Sequence, residues 1–130
     1  MELNTVEQKA LAEYLIQRRE IRQVDNWESF VAFLVNFSDK KHCLENLNST
    51  NTILRLLAQL MDKDEVLRTD LQAYCTAKQQ LQLMAAVKSV EDSNVFRRSQ
   101  QELIKQQVCL IAKIVAHLCQ LAGVQINGYN

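Results

Sequence analysis

Val108-Cys109-Leu110-Ile111-Ala112-Lys113-Ile114-Val115-Ala116-His117-Leu118-Cys119-Gln120-Leu121-Ala122, closed by Gly123, is the stretch on which the fold turns. Twelve of its fifteen residues are apolar. The exceptions, Lys113, His117 and Gln120, stand four and three residues apart and share one narrow helical stripe, which Glu102 and Gln106 extend upstream. A helix apolar on nearly every side is enclosed on nearly every side. The pattern therefore predicts the central helix of a bundle, or a helix covered partly by its own domain and partly by another subunit. A membrane span needs about 20 apolar residues, and this run is shorter and carries Lys113 in its middle. Gly123 is placed to stop the helix as its left-handed C′ residue, and the tail from Val124 to Asn130 reads as loose.

Upstream, the same helix is expected to begin near Asn94. Another runs from about Glu65 to Val90, and only Glu91-Asp92-Ser93 separates the two. Each would extend about 40 Å, and helices joined by so short a turn pack as an antiparallel αα-hairpin. Asp62-Lys63-Asp64 marks a turn with Asp64 as a cap. Before it, Ile53, Leu56, Leu57, Leu60 and Met61 share one face of a further helix. Asn48-Ser49-Thr50-Asn51 is a loop, because these side chains compete for the backbone's own hydrogen bonds. Ser38 and Asp39 cap a short segment through Leu44 and Leu47. Trp27 to Phe37 holds the only Trp and three of the four Phe residues, and reads as a buried anchor. Near the start, Thr5 and Gln8 form a capping box. It opens a helix carrying Val6, Ala10, Leu11, Tyr14, Leu15 and Ile21, which fades near Val24, where Asp25 and Asn26 offer the next cap.

Composition agrees with this reading. Pro is absent and Gly occurs only at Gly123 and Gly128, so tight hairpin turns and many-stranded sheets are disfavoured while uninterrupted helices are favoured. At 130 residues the chain is long enough to bury roughly two-thirds of its unfolded surface without a disulfide or metal staple. The predicted fold is a single all-α domain over residues 1–130, a bundle of five or six helices with a long C-terminal hairpin.

Chemistry-bearing clusters are sparse. No glycine-rich phosphate loop, G-x-S-x-G elbow or H-E-x-x-H pair is present. His42-Cys43 and His117-x-Cys119 each bring N and S ligands close in sequence, but on a helix adjacent residues diverge by about 100° and next neighbours by about 200°. Zinc motifs use spacings that face both ligands to one metal. Cys43, Cys75, Cys109 and Cys119 are therefore expected to be buried thiols. Asp62, Asp64 and Glu65 open like a calcium loop but meet Leu67 and Ala73 where Gly and Glu belong. His117 has no carboxylate three or four residues away and reads as a polar surface residue. No cofactor, metal or catalytic residue is assigned.

Fifteen basic and fifteen acidic residues cancel, which disfavours a dedicated nucleic-acid binder. The alternative survives only if Arg18, Arg19, Arg22, Arg97 and Arg98 converge on phosphates. Leader-like residues are absent from the start, so the two N-x-S/T sequons at Asn36 and Asn48 read as chance and a reducing cytoplasm is expected. Helices of about 40 Å outrun a compact domain of about 14 Å radius of gyration. The expected function is accordingly a non-enzymatic interaction protein (adaptor, chaperone, inhibitor or small subunit of an assembly). It is expected to pair with a second copy through Leu103, Ile104, Leu110, Ile111, Ile114 and Leu118.

Overall fold

Six helices and no strand make up the computed structural model, which describes residues 3–20, 26–86 and 93–124. They are α1 (Thr5–Glu20), α2 (Asn26–Phe37), α3 (Lys40–Asn46), α4 (Thr52–Lys63), α5 (Glu65–Ala86) and α6 (Ser93–Ala122). The fold is an all-α bundle, and α5 packs along α6 more extensively than any other pair. Side-chain detail covers 3–18, 27–85 and 95–124. Asp25, the Glu91-Asp92 part of the hairpin connection and the tail from Gln125 lie outside the described residues.

Each boundary has a local cause. The first cap sits one residue earlier than Thr5: the Glu7 amide donates to Asn4 Oδ1 at 2.8 Å and the Asn4 amide to Glu7 Oε1 at 3.2 Å. Asn is as good an N-cap as Thr or better, and Glu at the third position adds a favourable charge at the dipole's positive end. Asp39 accepts from the Lys41 amide to start α3, and Asn51 accepts from the Ile53 and Leu54 amides to start α4. Asp64 starts α5 through the Leu67 amide at 2.9 Å. At the far end Gly123 adopts φ 71°. The Val124 amide reaches Cys119 O at 2.8 Å and the Gly123 amide Gln120 O at 3.1 Å, which together make a Schellman motif. Val124 is half-buried against the core, so it does not belong to the loose tail expected from the sequence.

The core is assembled from Leu11 and Leu15 of α1, Phe30, Val31 and Leu34 of α2, and Leu56, Leu57 and Leu60 of α4. Leu67, Leu71 and Tyr74 of α5 and Leu110, Ile114 and Leu118 of α6 complete it. Phe30 is the hub of the aromatic group, edge-on to Tyr14 and to Trp27 at 5.9 Å each and stacked on Phe33 at 6.5 Å. Such pairs contribute about 0.5–1.5 kcal/mol beyond their area. Phe30 and Phe37 are buried, whereas Trp27 and Phe33 are half-buried at the edge of the group.

Two features of the hairpin were not expected. First, α6 is enclosed on one side only: Ala112, Lys113, Ala116 and Gln120 are exposed while Leu110, Ile114, Val115, Leu118 and Cys119 are buried. Alanine is apolar enough to extend the run in sequence yet loses little when left in water. Second, the core stops halfway along. At 22 and 30 residues, α5 and α6 are about 33 and 45 Å long. Among the described residues the last buried one of α5 is Ala77 and the first of α6 is Leu110. Between Lys78 and Cys109 no described residue is buried, so there the two helices lie against each other with no third layer over them.

Candidate functional site

Ile104, Val108, Ile111, Val115, Leu118 and Ala122 succeed one another on α6 at intervals of four and three residues, the seam spacing of helices packed side by side. One apolar seam therefore runs the length of the helix, and its environment changes along the way. Leu118 is 0% exposed, Val115 2% and Ala122 5%, because α1 and α2 pack against this end. Ile111 is half-buried. Ile104 is 46% and Val108 61% exposed. The helices that cover the lower seam end before its upper part.

Polar residues border the open segment. Gln101 stands about one turn and Arg97 two turns before Ile104, with Lys105 next to it and Arg98 nearly two turns back; Arg97, Arg98, Gln101 and Lys105 are exposed. Among the described residues none of the three cations makes an ion pair. Glu102 is the only acidic residue of α6.

The residues expected to form an interface thus divide. Leu110, Ile114 and Leu118 belong to the chain's own core, Leu103 and Ile111 are half-buried, and Ile104 is open. Val108, which sequence reasoning left out, is open as well. Among the candidate phosphate contacts, Arg18 is engaged internally. Its guanidinium lies 4.9 Å from the Phe30 ring centre and its Nε donates to the Tyr14 hydroxyl at 3.2 Å. Arg97 and Arg98 stand on the unsupported part of α6. The Arg19 side chain and Arg22 lie outside the described residues.

Sequence reasoning gave Asp64 as a cap but missed its contact with His117. Asp64, 4% exposed, is the buried charged residue of the core. His117 Nε2 lies 3.0 Å from its Oδ1 and 3.1 Å from its Oδ2, across 53 residues of chain. Burial alone would push this carboxyl up. The Leu67 amide, the His117 hydrogen bond and the attraction to His117 outweigh that and hold it below its usual value. The carboxylate is therefore ionised and only accepts, so the His117 Nε2–H donates. Asp64 thereby caps α5 and ties the α4–α5 corner to α6. The usable signal was a histidine inside an almost wholly apolar run, since a buried polar group requires a partner. No nucleophile approaches the imidazole, and the pair reads as structural.

Two adjoining clefts of about 440 and 360 Å³ open between the α2–α3 turn and α5, both lined by Ser38, Met61 and Arg68. Asp39, Lys40 and Asp62 balance the Arg68 charge, and the walls carry no convergent set of donors. Cys43, whose thiol donates to Ala58 O at 3.1 Å, is pushed up by burial and by Asp62. Cys119 is buried, Cys75 is half-exposed and Cys109 exposed, so burial accounts for two of the four thiols. No group of three or more potential metal ligands occurs among the described residues, and none of their helices is long and apolar enough to cross a membrane. In comparisons with known proteins, no family model, curated protein or solved structure matches this chain.

Proposed function

We propose that this protein is a non-enzymatic interaction protein whose docking surface is the upper seam of α6. The observation that carries the reading is the burial step along one seam, from 2% at Val115 to 61% at Val108. Apolar residues in heptad register gain nothing from a pattern they present only to water, but they gain directly from a partner helix. Four cysteines with no disulfide among them suit a reducing cytoplasm. A subunit, adaptor or inhibitor would use such a surface, and either a second copy of the chain or a helix of another protein would cover it.

The test compares the wild-type chain with an Ile104→Asp, Val108→Asp variant. Both side chains are exposed, so the variant should keep its helical circular dichroism and melt within about 3 °C of wild type. Proteins retained from the native cell by wild type and lost by the variant are the expected outcome. Equal retention by both, with wild type running as a monomer of 15.0 kDa in light scattering, would remove the docking surface.

A further inference from the structure

We infer that the open end of the α6 seam receives one amphipathic helix of a partner protein, apolar at heptad positions and bordered by Asp or Glu. This rests on the interaction reading above and specifies its occupant. The geometry selects a helix. Ile104 and Val108 continue the line along which Val115, Leu118 and Ala122 already receive helical neighbours. A helix laid on the upper seam prolongs that packing with the same register of knobs and holes.

Charge selects the flanks. With successive residues turned by about 100°, Arg97 falls on the seam itself, while Lys105 and Arg98 fall about 80–100° to one side of it. Glu102, about 140° away, stands one turn from both Arg98 and Lys105 and offsets part of their charge on the side away from the contact, so the three cations keep a net positive charge. All three cations are exposed and without ion pairs among the described residues. A helix that buries Ile104 and Val108 consequently brings its flanking positions beside a rim of net positive charge, which carboxylates satisfy and ammonium groups oppose.

The same rim disfavours a second copy. Antiparallel pairing about a two-fold axis sets Lys105 near its own symmetry mate, since the flanking positions on that side face each other. Parallel pairing aligns Arg97 with Arg97 at the seam. Either arrangement juxtaposes like charges.

The experiment uses the whole chain and three synthetic helices of about three heptads. One has Leu and Ile at the seam with Glu flanks, the second the same seam with Lys flanks, and the third Glu flanks with Gln at the seam. Fluorescence anisotropy measures affinity, and amide shifts on labelled protein locate the contact. The Glu-flanked helix should bind at least about tenfold tighter than the Lys-flanked one, lose affinity on going from about 50 to 500 mM salt, and shift amides around Ile104 and Val108. The Gln-seam helix should not bind. An Arg97→Glu, Arg98→Glu, Lys105→Glu variant should prefer the Lys-flanked helix. Equal affinity for both flanks, no binding of either apolar helix, or a wild-type dimer dissolved by the Ile104→Asp, Val108→Asp pair would each overturn the inference. Seam-dependent partners retained from cells while the peptides fail would leave the interaction reading standing and remove only the acidic helix.

Discussion

Removing the Asp64 carboxylate tests whether the polar corner stabilises the fold. In Asp64→Ala, α5 loses its N-cap, about 1 kcal/mol, and the His117 hydrogen bond to a charged acceptor, about 1.5–3 kcal/mol. The loss should total about 2–4 kcal/mol. For a chain of 130 residues the unfolding entropy makes each kcal/mol worth about 4 °C, so the midpoint should fall by about 8–15 °C. Asp64→Asn keeps an oxygen for the Leu67 amide and removes only the charge, and should fall by about half as much. The sign with pH follows from the depressed carboxyl. Above its unfolded value of about 3.9 the contribution is present in full, and it is lost as pH falls through the lower folded value. The gap between wild type and Asp64→Asn should hold at neutral and weakly acidic pH and close below about pH 4. Thermal melts of wild type, both Asp64 variants, His117→Ala and the Asp64→Ala, His117→Ala pair supply the measurement. A coupling energy of about 1–3 kcal/mol is expected from that cycle. Coupling near zero, or a gap unchanged at low pH, would mean that the corner is simply solvated.

Three further outcomes follow from burial and backbone geometry. Leu118→Ala should cost about 2–5 kcal/mol, because Leu118 is fully enclosed, while Ile104→Ala should cost less than about 1 kcal/mol; equal losses in denaturant melts would contradict the step in the seam. Gly123→Ala should cost about 1 kcal/mol through φ 71° alone, as a Cβ there meets nothing within 4 Å, and Asn should recover part of it. An unchanged midpoint would count against the Schellman end. Native protein should expose Cys75 and Cys109 to a thiol reagent while Cys43 and Cys119 wait for unfolding; rapid modification of all four would contradict the burial.

Much of the fold was legible because the strongest signals were local. Asp39, Asn51, Asp64 and Gly123 announce their helix ends through chemistry confined to a few residues. The face of α4 followed from spacing alone. Two things were not legible. A bond between Asp64 and His117 depends on how α4, α5 and α6 meet, and no spacing encodes that. The run from Val108 to Ala122 shows how apolar a helix is, yet Ala112 and Ala116 cost little in either environment, so the count overstated the enclosure. Interface residues were named from that count, which merged the chain's core (Leu110, Ile114, Leu118) with its open seam (Ile104).

The uneven thickness of the hairpin carries a consequence for motion. One continuous helix passes from a base gripped by several neighbours to a tip leaning on α5 alone. Amide protons near Leu118 should exchange only when the whole domain opens, whereas those near Ile104 should exchange through local opening at far smaller free energy. The tip can therefore splay or close by small amounts while the base stays intact. Its width can then be set by whatever is laid along it, and the rigid half acts as the hinge post.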